Sequence, residues 1–157
     1  PNLTAATLYP GIGLLEFTNI SVGRGTSVPF EIVGAPYIQA EDLAKELTSR
    51  DLPGLQFVPI RFTPESSIFK GEECGGVRVL LKDPSQLTPL RLGLSIAQSL
   101  RKLYPTQWET KKLNTLLCHP PTEQAILDQK PTESIIAEWK KDLEAFEDRR
   151  RKHLLYP

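Results

Sequence analysis

Apolar residues recur at helical spacing in three long stretches of the chain. From Thr132 to about Arg150, Ile135, Ile136, Trp139, Leu143 and Phe146 fall on one side, while Glu138, Lys141, Asp142, Glu144 and Asp148 fall on the other. That division predicts an amphipathic helix with its apolar side, Trp139 included, against the core. From Pro89 to Leu103 the stripe is Leu92, Ile96, Leu100 and Leu103; Thr88 stands at the N-cap, Pro89 at the first helical position, and Tyr104-Pro105 ends the run. Leu43, Ala44 and Leu47 predict a third helix over Ala40 to Arg50, with Glu41 and Asp42 in its first turn and Pro53-Gly54 as its stop.

Strand patterns lie between these helices. Gln56 to Thr63 is rich in Phe57, Val58, Ile60 and Phe62, and Pro59 inside it predicts an edge strand or a bulge, because proline cannot donate to a ladder. From Gly76 to Asp83, Val77, Val79 and Leu81 alternate with Arg78, Leu80 and Lys82, a period of two. Pro29 to Ile38 is apolar but interrupted by Pro29, Gly34 and Pro36, so only a short strand near Phe30 to Val33 is expected. Pro10, Gly11 and Gly13 make Pro1 to Gly13 read as an incoming connection. Glu109 to Leu117 predicts a short helix, Cys118-His119-Pro120-Pro121 a break, and Thr122 to Asp128 one or two helical turns. With 14 prolines spread through the connections, the expectation is a rigid, loop-rich single α+β domain: a small mixed sheet packed against several helices.

Length supports one domain, since 157 residues can enclose a substantial core. Charge is balanced at 19 Lys+Arg against 19 Asp+Glu, so no net field draws the chain to nucleic acid. The basic run Arg149, Arg150, Arg151 and Lys152 is expected as a solvated helix end that suits the helix dipole. No stretch reaches the ~18 consecutive apolar residues of a membrane-spanning helix. The chain has no methionine and starts at Pro1, which leads us to expect a processed chain or a piece of a longer one. Cys74 and Cys118 lack the spacing of metal ligands or of a disulfide framework, with only His119 and His153 to accompany them. Both are expected as buried structural cysteines, and neither a metal nor a cofactor is expected.

The chemistry concentrates in Leu14 to Thr26. Glu16, Thr18, Asn19, Ser21, Arg24 and Thr26 supply a carboxylate, an amide, hydroxyls and a guanidinium, with Gly23 and Gly25 on either side of the arginine. Two glycines leave the backbone free to take positive φ and to let a ligand or another chain come close. Turned outward, these groups could read sugar hydroxyls or an amide; turned inward, they satisfy a tight turn, with Arg24 paired to Glu16 or Glu31. A second polar stretch, Pro64 to Gly76, joins two predicted strands and is either a site loop or an ordinary surface connection.

Read in order, YPG at Tyr9, GLLE-TN-SVGRGT-PFEIVGAPY through Tyr37, FTP then GEECGGV at Phe62 to Val77, RLGL at Arg91 to Leu94, and EWKKDLEAFEDRRRKHLLY at Glu138 to Tyr156 resemble the C-terminal half of the bacterial exo-β-N-acetylmuramidase family. The resemblance covers nearly the whole chain. It implies a two-domain glycoside hydrolase in which a Rossmann-like N-terminal domain, absent from this chain, is the partner and carries the proposed catalytic glutamate. The present chain would be the auxiliary, substrate-shaping wall of the cleft, inactive alone. The implied substrate is a peptidoglycan-derived saccharide ending in N-acetylmuramic acid, and the implied location is periplasmic or secreted. Glu16, Asn19, Ser21, Arg24 and Thr26 match the family's loop signature and would face the cleft; Glu73, before Cys74-Gly75-Gly76, is the second matching site motif. Phe17 stands where many members are expected to have glycine. A non-catalytic carbohydrate-binding module, or one that only docks another domain, is the alternative.

Overall fold

A computed structural model describes residues 2–156; Pro1 and Pro157, which open and close the expected single domain, lie outside the described residues. Six α-helices and one three-stranded sheet are present among them, an α+β architecture as expected. The strands are β1 (Ile32–Ala35), β2 (Leu55–Phe62) and β3 (Cys74–Leu81), in the spatial order β1-β3-β2. Both pairings are antiparallel, so the sheet is not the mixed one expected. Consecutive strands β2 and β3 form a long hairpin, which needs no crossover helix.

Pro59 sits on the edge strand β2, opposite Val77, where its missing N–H costs the ladder nothing on the solvent side. Strand β1 begins at Ile32, two residues later than its sequence suggests. Phe30 takes φ 62 and donates its N–H to the Val22 carbonyl, so the chain is still turning there. Gly34 is accommodated inside β1 because the Phe62 ring and the Gly75 carbonyl occupy the space a side chain would need.

Helix α1 (Leu3–Ile12) replaces the irregular connection expected for the first residues. Asn2 caps it, accepting from the Ala5 N–H at 2.7 Å. Pro10 falls in the last turn, where its missing donor removes a single intrahelical bond, and Leu8 and Ile12 are fully buried. Gly11 is a packing residue rather than a breaker. A Cβ there would overlap the Pro89 carbonyl oxygen, at the start of α3 (Pro89–Leu103), and Gly93 of α3 lies against the Gly11 carbonyl in return.

Helix α2 (Ala40–Thr48) lies on the sheet with Leu43 and Leu47 buried. Helix α3 matches its predicted limits and buries Leu92, Ile96 and Leu100 between α1, α2 and the later helices. The core is one continuous cluster joining Leu8, Ile12, Leu43, Leu47, Val77, Val79 and Leu100. The predicted helix before Cys118 shrinks to α4 (Asn114–Leu117), and the Glu109 N–H that would have opened it is bonded to the Asn19 side chain. Cys118 does break the chain, at φ 51, but the prolines after it open α5 (Pro120–Leu127) rather than extending the break. His119 caps that helix through Nδ1, and Pro120 takes the first position.

Helix α6 (Thr132–Arg151) has its predicted length, but its apolar stripe is not all core. Ile135 is buried, and Trp139 is half-buried with its indole N–H on Thr122 Oγ1 at 2.9 Å. Leu143 and Phe146 are 55% and 51% exposed, so among the described residues the second half of the helix is only partly covered. No helix among the described residues is long and apolar enough to cross a membrane.

Candidate functional site

Residues 16–27 leave the core at a short 3-10 turn over Gly13–Leu15 and return to it at β1. Ser21 is hydrogen-bonded through its backbone to Gly34 in both directions, adding one rung to the free edge of β1. The loop beyond it turns at Gly23 and Gly25, both at φ +83. At Gly25 a Cβ would overlap the Ser66 backbone, and the Gly25 carbonyl accepts from the Glu65 N–H at 2.8 Å. This glycine therefore lets the first polar loop sit directly on the second, residues 63–73, which joins β2 to β3. Two stretches some forty residues apart in sequence become one surface.

The six predicted site residues divide into three groups. Arg24 Nε is hydrogen-bonded to Glu16 Oε1, and the Arg24 guanidinium lies 5.0 Å from the Phe30 ring centroid. The hydrogen bond to Glu16 holds the Arg24 pKa above its ordinary value, against a small opposing effect of burial. Arg24 is half exposed, and its terminal Nη groups have no hydrogen-bond partner among the described residues. Thr26 closes its own turn, donating to the Gly23 carbonyl at 2.7 Å and accepting from the Val28 N–H. Its side also forms part of a hollow of about 730 Å³ lined by Gly25, Thr26, Ser27, Phe62, Glu65 and Ser66.

Asn19 and Ser21 are held inward. The Asn19 amide donates to the Gln107 carbonyl at 2.8 Å, accepts from the Glu109 N–H at 2.8 Å, and also accepts from the Tyr37 hydroxyl. It braces the 104–113 segment against the first loop. Burial raises the Tyr37 pKa, with the Glu109 carboxylate and Tyr104 adding to it, so the hydroxyl stays a donor here. Ser21 is fully buried and its Oγ accepts from the Gly23 N–H, so this hydroxyl does not face a cleft as the resemblance implied.

Glu73 stands apart. It is exposed in the loop between β2 and β3, bound to Arg61 Nη1 at 2.8 Å, and is not among the residues that line the hollow beside Thr26. Glu16 and Glu73 thus each carry their own arginine rather than facing one another as a bare carboxylate pair. The following Cys74 is buried as expected, and burial, with the nearby Glu72 charge, pushes its thiol up to about 11. Cys118 is exposed, contrary to expectation, because the left-handed break puts it on the surface.

A second hollow of about 300 Å³ is lined by Phe17, Thr18, Asn19, Ile68, Glu109, Lys111 and Lys112. Ile68 brings loop 63–73 to this side as well, so that loop contributes a wall to both hollows. Lys111 and Lys112 were not singled out in the sequence, where two adjacent lysines carry no signal of a site; the long-range contacts of Asn19 with residues 107 and 109 bring them to the first loop. Phe17 fills space here that a glycine would leave open, and it is 48% exposed.

Comparison with known proteins adds three findings. A family model described as "Exo-beta-N-acetylmuramidase NamZ, C-terminal" matches residues 7–156. The chain is similar to the peptidoglycan beta-N-acetylmuramidase NamZ of Bacillus subtilis (strain 168), at 36% identity over 159 residues, covering 99% of this chain and 38% of that protein. It is also similar to crystal structures of two DUF1343 family proteins from Bacteroides fragilis NCTC 9343. One has a TM-score of 0.87 at 25% identity, covering 100% of this chain and 43% of the other. The second has a TM-score of 0.68 at 27% identity, covering 99% and 42%. The chain spans less than half the length of each of these relatives.

Proposed function

Because the chain belongs to the family of exo-beta-N-acetylmuramidase NamZ C-terminal domains, we propose that it forms one wall of the substrate cleft of a peptidoglycan-degrading glycoside hydrolase. In this reading the chain is the second domain of a two-domain protein. Its partner is a Rossmann-like domain of the same protein, which supplies the reacting carboxylate. Together they release terminal N-acetylmuramic acid from peptidoglycan fragments, outside the cytoplasm where such fragments arise.

The observation that carries the reading is the free edge of Arg24. Its Nε is committed to Glu16, while its two Nη groups have no hydrogen-bond partner among the described residues; the residues that follow it, Gly25 and Thr26, line the hollow with Ser66. An arginine held by one edge and open at the other suits bidentate capture of a carboxylate. Muramic acid differs from glucosamine by a lactyl ether that ends in a carboxylate, so this contact would select the sugar. Hydrogen bonds to charged groups contribute about 1.5–3 kcal/mol, so Arg24→Ala is expected to weaken binding roughly tenfold or more.

Calorimetric titration of the chain with N-acetylmuramic acid and with N-acetylglucosamine tests this. Preference for the muramic sugar that disappears in Arg24→Ala supports it. Equal affinity for the two sugars, or no binding of either, would remove the substrate contact and leave the docking reading. Release of N-acetylmuramic acid by this chain alone would refute its role as an auxiliary wall.

A further inference from the structure

Beyond Trp139, helix α6 continues for three turns, and among the described residues two large apolar side chains on it, Leu143 and Phe146, remain half exposed. A helical segment of this length is marginal in water on its own. The apolar positions follow a seven-residue repeat: Ile136, Trp139, Leu143 and Phe146, with Arg150 at the next inward position. The positions flanking that seam are Lys140 and Glu147 on one side and Asp142 and Arg149 on the other. Among the described residues Asp142, Glu147, Arg149 and Arg150 form no ion pair, and Lys140 reaches only Glu144, at 3.9 Å.

From this pattern we infer that the second half of α6 pairs antiparallel with the same segment of a second copy of the chain, forming a two-fold homodimer. Placing Leu143 opposite the partner's Phe146 sets every flanking charge against its opposite. In an antiparallel pair, like flanking positions meet: Asp142 faces the partner's Arg149, and Lys140 faces the partner's Glu147. Symmetry repeats both contacts. The next layer puts Trp139 against the partner's Arg150, a cation over an indole face. A parallel pair has none of this, because it sets Asp142 beside the partner's Glu147 and stacks Arg150 on the partner's Arg150. Like charges so placed are repulsive, and the sequence therefore selects orientation as well as contact.

The same arrangement uses two further apolar features. Leu155 and Tyr156 are 91% and 82% exposed at the end of the chain. On the domain body, a groove of about 430 Å³ is walled by Leu14, Leu90, Leu94, Leu116 and Trp139, with Asp142 and Leu143 at its α6 side. A helix advances ~1.5 Å per residue, so α6 carries its own tail away from this groove. In the register above, the partner's Phe146 and the partner's Arg150 come beside Leu143 and Trp139, at the α6 side of this groove.

Sedimentation equilibrium or light scattering of the 157-residue chain reads the result. The wild-type chain is expected as a dimer. Arg149→Asp or Asp142→Arg alone, both on an exposed helix face, should raise the dimer dissociation constant at least tenfold while circular dichroism stays unchanged. The double variant Asp142→Arg/Arg149→Asp should restore the dimer, because the pair is re-formed with its signs exchanged. A wild-type chain that stays monomeric at high concentration would overturn the dimer and assign this face to the remainder of a longer protein. A dimer that ignores both single reversals, or a double variant that remains monomeric, would overturn the antiparallel register.

Discussion

Gly25 takes φ +83 with the Ser66 backbone against it, whereas Gly71, at φ +78, has open space where a Cβ would lie. The two glycines separate conformational strain from steric overlap. Gly71→Ala should cost only the left-handed penalty, about 1–2 kcal/mol. Gly25→Ala carries that penalty and must also push the two polar loops apart, so its urea midpoint should fall further than that of Gly71→Ala. Equal losses would show that the loops are not held together at this point. The cysteines make a second contrast. Burial leaves Cys74 enclosed with its thiol pushed up to about 11, while Cys118 is exposed. A thiol reagent at pH 8 should therefore modify one cysteine per native chain and both in denaturant, since the thiolate is the reacting form. Rapid modification of two thiols in the native chain would contradict the burial of Cys74. Of the candidate site residues, Gly23 and Gly25 were legible as a positive-φ pair flanking Arg24. The inward turn of Ser21 was not, because a hydroxyl on either side of a strand-like rung has the same sequence.

Helices α1 and α3 touch through Gly11 and Gly93, where a Cβ on Gly93 would lie 2.5 Å from the Gly11 carbonyl oxygen. Gly93→Ala raises intrinsic helix propensity by about 0.8–1.0 kcal/mol, yet overpacking of this kind costs about 1–3 kcal/mol. A lower melting temperature is the expected outcome, and a higher one would mean that the helices separate freely. A polar counterpart joins α2 to α3: Glu46 accepts from Lys102 Nζ at 2.7 Å and from Arg50 Nη2 at 3.1 Å. Partial burial works to raise the Glu46 pKa, but the Lys102 hydrogen bond and the Arg50 charge outweigh it and hold the pKa below its ordinary value of 4.5. A carboxylate with a depressed folded pKa contributes stability that is present above the unfolded value and is lost as pH falls through the folded one. Glu46→Gln should thus lower stability by up to about 1 kcal/mol at neutral pH. Its unfolding curve should converge with wild type below pH 4.5, and a gap that persists in acid would rule this linkage out. Strands β2 and β3, with α2, α3 and α6, were readable because their periodicities are long. α1 was not, since Pro10, Gly11 and Gly13 look like breakers until α3 is seen packed on Gly11.

At the scale of the whole molecule, the family and the α+β class could be read from the order of motifs and from the spacing of apolar residues. Those features are local, and each is written in nearby residues: caps, alternation, helical spacing and paired glycines. What required the tertiary structure is how distant stretches meet. Folding sets loop 63–73 on Gly25, spends the Asn19 amide on residues 107 and 109, and gives Glu16 and Glu73 separate arginines. It also leaves Leu143 and Phe146, on the far half of an ordinary amphipathic helix, half exposed among the described residues. The physical reason is the same in each case: a side chain's preferences are carried by its own residue, but whether they are met inside or outside depends on which neighbour the fold brings to it.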